Sequence, residues 1–539
     1  MDAIVPQPSP PEEPILEMND IQGLAIPGFF KPHMTLLGLR YPGGPELARL
    51  KPLLAQLAAS ISTAQQTLAN RRAYRAAREA SQVRHPAAAP RIVLTAIGFS
   101  ASGLAKLTPG AQDIPSEAYQ QGLLARAELL GDPTDPTAEG NPKNWVVGAS
   151  GKALDALVVV AGDARAEVDR RAAELRGKLR ASGVEIAYEE NGDVRPDLPG
   201  HEHFGFDDGI SQPGLRGRAS AAPGDYVEDR AIDPRQTPEA WLWGLPGQDL
   251  VWPGEFVLGY PATSPDPLFA GPPSATTPQW TRNGSFLVFR RLRQDVALFR
   301  RTLRQESERL RKLPGFDAFT PEYLAARLVG RWPSGAPVNR VPRTDDANLG
   351  EERRANNNFR FDADSAAFAL KGGFKDPFPM AKADPAGITC PWAAHIRKVN
   401  VRDSGSDLGG RDSTYARRLL RTGIPFGKPL ADPAAAGEDS EKGNRGLLFL
   451  SIQASIEAQF EFLLARWMGD PTRPKTPGGH DVFIGQNGEP GAGRERRCLL
   501  FGDGLQQAEL ATRAEWVIPT GGGYFFLPSI RALREVLAQ

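Results

Sequence analysis

In the N-terminal half of the chain, short runs of consecutive apolar positions alternate with longer amphipathic stretches. MTLLGLRY (34–41) is an apolar run closed by Pro42-Gly43-Gly44 and predicts a buried strand. After Pro52, Leu53, Leu57 and Ile61 recur at four-residue spacing with Leu54 and Leu68 flanking the stripe, which predicts an amphipathic helix. RIVLTAIGF (91–99) predicts a second strand. The unit then repeats. DALVVVAG (155–162) reads as a strand, and 163–180 as a helix with Asp163 as N-cap and Val168, Leu175 and Leu179 on one side. GVEIAYEE (183–190) alternates like a half-buried strand. The succession β-α-β, insertion, β-α-β predicts a split βαβ, ferredoxin-like unit.

From about 191 to 250 the chain turns rich in Gly, Pro and Asp and reads as a connection between domains. Apolar runs resume with EFVLGY (255–260) and SFLVFRRL (285–292) as strands, followed by a basic helix near 293–312. GLLFLSI (446–452), the helix 455–467 and GYFFLP (523–528) then give strand, helix and strand again. The expected fold class is α+β: two ferredoxin-like domains with antiparallel sheets and peripheral helices. The expected boundaries are a disordered lead-in at 1–19, an N-terminal domain at 20–215 that ends in a Gly-x-x-Asp-Gly turn, a connecting segment at 216–250 and a C-terminal domain at 251–539. A length of 539 residues agrees with more than one core.

Composition narrows the class of function. Hydrophobic residues at 41% and charged residues at 24% describe a soluble globular chain. Lys+Arg and Asp+Glu are both 64, so a net charge of zero gives no reason to expect nucleic acid or an anionic membrane as partner. No run of about 18 apolar residues predicts a membrane span. The opening MDAIVPQPSPPEEP has neither a basic nor an apolar leader region, so cytoplasmic residence is expected. Two cysteines, Cys390 and Cys498, exclude a disulfide framework and leave one bridge open.

The candidate chemistry is concentrated in HEHFGFDDGISQPG (201–214). On a strand, His201-x-His203 would point both imidazoles to one face, and Asp207, Asp208 or a remote histidine could complete a zinc site for a metal-dependent hydrolase. Alternatively Gly205 and Gly209 bracket a turn whose backbone freedom delivers Asp208 close to a ligand. In CPWAAHIRKVNVR (390–402), His395 lies among small and apolar residues with Arg397, Lys398 and Arg402 following. A histidine so placed is often a satisfied core residue, but these cations point to an anionic neighbour such as cofactor carboxylates. In RRLLRTGIPFG (417–427), Arg421 precedes a turn and is either a surface charge or a site cation.

The order of these three islands, Asp208 in Gly-x-x-Asp-Gly, His395 in AAHIRK and Arg421 in LLRTGIPFG, resembles the dye-decolourising peroxidases. The similarity extends through DIQGL (20–24), DGISQPG (208–214), PGEFVLGY (253–260), NGSFLVFRRL (283–292), GRWPSGAP (330–337), GLLFLSIQASIEAQFEF (446–462) and GGGYFFLPSI (521–530), and the length suits the larger, intracellular-type members. The resemblance implies haem b (iron protoporphyrin IX) between the two domains or within the C-terminal one. It makes His395 the proximal iron ligand, Asp208 the distal acid–base and Arg421 the distal cation. It sets Gly209, Ile210 and Phe449 against the cofactor and Arg397 and Arg402 toward its propionates. Behind His395 it implies an acidic acceptor, Asp481, with Asp470 and Glu457 as alternatives. Substrates are then hydrogen peroxide and small aromatic reductants, with Trp392, Tyr415 and Trp467 as surface radical sites for dyes too bulky to reach a buried haem. One departure is Gly423, where some relatives carry Asn two residues after the distal arginine. Oligomeric state stays open, as do two other functions: a haem-binding or dechelating protein without turnover, and the metal-dependent hydrolase.

Overall fold

The continuous apolar runs 33–40, 93–99 and 156–162 become strands covered on both faces, while the alternating 185–193 becomes a half-exposed one. The computed structural model describes residues 11–81, 90–233, 238–431, 443–486 and 494–539. In the N-terminal half, β1 (His33–Arg40), β2 (Val93–Phe99), β3 (Ala156–Gly162) and β4 (Glu185–Asp193) are all antiparallel, β1 pairing with both β3 and β4, and β2 with β3. The order β4-β1-β3-β2 is that of a ferredoxin-like unit. The C-terminal half repeats it with β5 (Ser285–Gln294), β6 (Leu420–Arg421), β7 (Ile424–Phe426), β8 (Gly446–Gln453) and β9 (Val517–Leu527). There β5 lies between β9 and β8, and β8 carries β6 and β7 on its other edge.

The two sheets join edge to edge. Phe426 of β7 pairs with Gly192 of β4, and Phe526 of β9 pairs with Phe99 of β2, one residue pair at each seam. The strands therefore close into a barrel, which leaves β6 as a short free edge. The two-residue period of a strand splits the apolar residues into two cores. Met34, Leu36, Leu157, Val159, Leu287, Phe289, Leu448 and Leu450 fill the interior. Leu37, Ile97, Val158, Val160, Val288 and Phe526 face outward onto the helices.

The helices include α1 (Leu47–Ser60), α3 (Arg165–Ala181) and the π-helical α6 (Ile456–Met468), which pack on that outer core, and α2 (Ala64–Ser81), α4 (Val296–Leu310) and the short α5 (His395–Val399), which pack elsewhere. The helix expected after Pro52 begins earlier, because Leu50 extends the stripe of Leu53, Leu54 and Leu57, and Leu68 belongs to α2 rather than to that stripe. Asp163 does not cap α3. Ala164 stands at the cap, and the Asp163 carboxylate takes Lys31 Nζ at 2.8 Å and the Ile92 amide at 3.0 Å.

EFVLGY forms no strand. Pro253–Glu255 turns tightly, the Phe256 and Val257 amides return to the Pro253 carbonyl, and both side chains plug the barrel interior, so the segment is apolar without joining a ladder. Part of the lead-in is also ordered. Glu13 is buried, accepting from the Gly217 amide and Arg230 Nη2, both at 2.7 Å, while residues 1–10 lie outside the described ones. Cys390 and Cys498 are both free and buried. No helix among the described residues is long and apolar enough to cross a membrane.

A third apolar cluster, with Phe204, Phe206, Phe299, Trp332, Ala393, Ala394, Val482 and Phe483, packs the loops of the C-terminal half together. It brings the first two candidate islands together, and the third joins the first through Arg421 Nη1, which donates to Asp208 at 3.0 Å, and through the Phe426 carbonyl, which lies 2.9 Å from His203 Nε2.

Candidate active site

The turn that presents Asp208 is built by its own backbone. Gly205 has φ +100° and Gly209 φ +85°, the left-handed region that favours glycine. The buried Glu202 carboxylate accepts the Phe204 and Phe206 amides at 2.8 and 2.9 Å, and the Asp207 and Asp208 amides bond the Pro333 and Gly200 carbonyls. A Cβ on Gly209 would meet nothing within 4 Å, so open space lies beside Asp208. Oδ1 of Asp208 accepts from the Gly209 amide at 2.6 Å and from Arg421 Nη1 at 3.0 Å. Oδ2 has no protein donor among the described residues.

The Asp208 side chain keeps 38% of its surface open and Arg421 28%, and the fold packs closely around the rest of the carboxylate. Burial accordingly pushes the Asp208 pKa up. The Arg421 charge and hydrogen bond, the Gly209 amide and a charge on His395 outweigh it and hold the carboxyl below its ordinary range. The Phe483 ring lies 6.1 Å from the His395 ring and 6.0 Å from that of Phe206, two residues before Asp208, so the turn and the histidine flank one side chain.

His395 opens α5 and donates from Nδ1 to Asp481 Oδ2 at 2.8 Å. Asp481 is fully buried, and its Oδ1 accepts the Phe483 and Ile484 amides at 3.0 and 3.1 Å. With Nδ1 bound to a carboxylate, the lone pair is on Nε2, and Nε2 has no protein partner among the described residues. Asp470 and Glu457 are engaged elsewhere, with Thr472 and with Ser116 and Ala118.

Below the turn lies a feature the sequence reading missed. Asn357 Oδ1 accepts from Arg331 Nη2 at 2.6 Å, Ser211 Oγ at 2.9 Å and Arg402 Nη2 at 3.2 Å, while Asn357 Nδ2 donates to the Ile210 carbonyl at 2.9 Å. Both arginines are buried, and neither has a carboxylate ion-pair partner among the described residues, Asp249 being taken by Arg418 at 2.9 Å. Burial and then the charge of Arg402 push Arg331 down to about 9, and burial pushes Arg402 down to about 10. Two buried cations short of a counter-ion suit a ligand that carries carboxylates. With the free Nε2 of His395 and the open space beside Gly209, they fit a haem.

Other expected residues are placed differently. Arg397 is fully buried, with its guanidinium 3.8 Å from the Trp392 ring and 4.2 Å from the Phe361 ring and Nη1 bonded to the Asp384 and Cys390 carbonyls, so it lends no support to a propionate contact. Trp392, Tyr415 and Trp467 are not at the surface. They are 5%, 1% and 0% exposed, and each donates a hydrogen bond, to the Pro385 carbonyl, Asp249 and Asp407 respectively. Phe449 lies on the same face of β8 as Ser451, the register partner of Arg421, with its ring 6.1 Å from Phe460. Ile210 packs its Cδ1 against Gly335.

The zinc reading finds no site. His203 is buried with Nε2 bonded to the Phe426 carbonyl at 2.9 Å, and burial pushes it down to about 4, so it is neutral and turned into the fold. No group of three His, Cys, Asp or Glu among the described residues could hold a metal ion.

Comparison with known proteins gives the family. The family model described as "DyP dimeric alpha+beta barrel domain" matches residues 45–196. The chain is 31% identical over 452 residues to dye-decolorizing peroxidase msp1 of Mycetinis scorodonius, covering 82% of this chain and 76% of that protein. Among solved structures it is similar to an ancestral D-type dye-decolorizing peroxidase, with a TM-score of 0.74, 32% identity and coverage of 98% of this chain and 100% of that one. It is also similar to a dye-decolorizing peroxidase in complex with 2,6-dimethoxyphenol, with a TM-score of 0.71, 26% identity and coverage of 97% and 100%.

Proposed function

Because the chain belongs to the dye-decolourising peroxidase family and is a haem-dependent peroxidase, we propose that His395, Asp208 and Arg421 carry its reaction, with haem b as cofactor and hydrogen peroxide as oxidant. The observation that carries this reading is the Asp208–Arg421 pair at 3.0 Å, with Asp208 Oδ2 and the nearby His395 Nε2 both without a protein partner among the described residues.

Haem iron, when bound, supplies an open coordination position for peroxide and exchanges electrons with it. The protein's part is positioning and proton movement. His395 Nε2 would hold the iron from one side, its basicity set by the Asp481 carboxylate on Nδ1. Arg402 and Arg331 offer the positive charge that the cofactor's carboxylates require. Asp208, ionised, takes the proton from the inner peroxide oxygen at Oδ2 and returns it to the outer one, which leaves as water. Arg421 stays protonated and stabilises charge developing on the departing oxygen. Two one-electron donors and two further protons then complete the conversion of one peroxide to two waters.

The donors proposed are dyes and phenolic aromatics, in line with the phenol bound to the similar structure. With Trp392, Tyr415 and Trp467 buried, none of these rings can touch a bulky dye directly. Cytoplasmic residence is kept as part of the proposal because both cysteines are free thiols.

The test is an absorption spectrum of the haem-loaded protein before and after one equivalent of peroxide, followed by turnover of a dye. A Soret band that changes with peroxide, and turnover, are expected. Failure to bind haem would overturn the reading, and haem binding without turnover would favour a carrier. A narrower expectation concerns Asp481→Asn. Loss of the charged acceptor behind His395 should weaken haem retention by roughly 10- to 100-fold, read as the rate of haem transfer to a competing apoprotein. An unchanged rate would remove Asp481 from the site.

A further inference from the structure

We infer that Gln212 is a positioning residue that fixes where the Arg421 guanidinium stands over Asp208. Arg421 lies in β6, the two-residue strand at the free edge of the sheet. Its neighbour Thr422 sends its amide inward to the Leu450 carbonyl of β8. The amide and carbonyl of Arg421 itself point the other way, off the edge, where a strand this short has no backbone partner. Gln212 meets both. Its Nε2 donates to the Arg421 carbonyl at 2.9 Å, and its Oε1 accepts from the Arg421 amide at 3.2 Å. One carboxamide thus does for Arg421 what a neighbouring strand would do.

The segment that carries Gln212 also carries Asp208. Residues 208–212 therefore hold Arg421 at two points, the guanidinium through Asp208 Oδ1 at 3.0 Å and the backbone through Gln212. The segment is itself pinned, by Ser211 Oγ to Asn357 at 2.9 Å on one side of Gln212 and by the Gly214 amide to the Asp249 carbonyl at 2.7 Å on the other. Gln212 is consequently a fixed spacer. It sets the register between two loops far apart in sequence whose side chains must meet within hydrogen-bond distance, and its own carboxamide is spent on the Arg421 backbone.

This inference rests on the proposed roles of Asp208 and Arg421, so its test includes both. Gln212→Met keeps the length of the side chain and removes both hydrogen bonds. Gln212→Glu keeps the acceptor for the Arg421 amide and sets a carboxylate against the carbonyl. Arg421→Leu is the reference. The readouts on haem-loaded protein are the second-order rate with peroxide, the acid limb of its pH profile, the KM for a reducing dye and the Soret spectrum. With Gln212→Met the peroxide rate should fall on the order of 10²-fold, the cost of an ångström-scale misplacement. Its acid limb should move upward in the direction of Arg421→Leu, because Asp208 loses part of the charge that holds its pKa down. Gln212→Glu should lie between Gln212→Met and the unaltered protein, and the dye KM and Soret band should stay put. If Arg421→Leu shifts rate and limb while both Gln212 variants behave like the unaltered protein, the clamp is overturned and the distal pair stands. If Arg421→Leu changes nothing either, the underlying roles fail together with it.

Discussion

Replacing His395 with alanine should leave a folded barrel that no longer retains haem. The side chain is 23% exposed, packs against the Phe483 ring at 6.1 Å and has one hydrogen-bond partner among the described residues, Asp481, so its removal should cost the fold little. The loss falls on the ligand instead. Nε2 of His395 has no protein partner among the described residues, and the buried carboxylate on Nδ1 fixes both the tautomer and the ring's direction. Deleting only that supporting carboxylate costs roughly 10- to 100-fold in affinity at comparable sites; deleting the ligand should cost more than that. Titration of the haem-free protein with haem, followed at the Soret band, measures it directly. Added imidazole should restore part of the spectrum by occupying the space the ring leaves. An alanine variant with the affinity and spectrum of the unaltered protein would remove His395 from the iron.

Most of the barrel was legible because its strands are covered on both faces. Continuous apolar runs such as ALVVVAG and GLLFLSI have few other ways to be buried, and their spacing gave both ferredoxin-like units. The closure of the two sheets was not legible. Each seam is a single residue pair, Phe426 with Gly192 and Phe526 with Phe99, and no periodicity marks so short a pairing. EFVLGY misled for the opposite reason, being apolar to plug the barrel rather than to extend a sheet.

At the site, the turn that presents Asp208 was legible from its two glycines, whereas the pairing of Asp481 with His395 was expected only from the family resemblance. Asn357 and Arg331 were not, although GRWPSGAP had been singled out as a motif. What they do depends on Ser211, Ile210 and Arg402 being brought to one amide group from distant parts of the chain. Arg397 shows the converse. A cation two residues from the histidine looked available for an anion, yet helix α5 turns it into a sandwich of Trp392 and Phe361. Adjacency in sequence gave the composition of the site, and only the fold gave the direction of each side chain.

Asp208→Asn should lower the rate of reaction with peroxide by about 10²- to 10⁴-fold, with haem binding unchanged. Asparagine keeps the shape and can still accept from Arg421 and Gly209, but it cannot take a proton from peroxide at Oδ2. The pH dependence of the unaltered protein follows from the same pair. Burial pushes the Asp208 pKa up, while Arg421, the Gly209 amide and His395 pull it lower, and the net position is below the ordinary carboxylate range. The reacting form is the carboxylate, so activity should persist into acid below that range and fall only as pH drops through the depressed pKa. Stability carries the same sign: the contribution of ionised Asp208 is present above the ordinary range and is lost on the same descent. In Arg421→Leu the largest opposing influence is gone, and burial acts against the Gly209 amide and His395 alone. The acid limb should therefore move upward, toward the ordinary range, in addition to the loss of rate from the missing cation. Stopped-flow rates with peroxide from acid to neutral pH separate the two effects, since a missing cation lowers the plateau whereas a shifted carboxylate moves the limb. A limb in the same place in both proteins would mean that Arg421 does not set the charge of Asp208, despite the 3.0 Å between them.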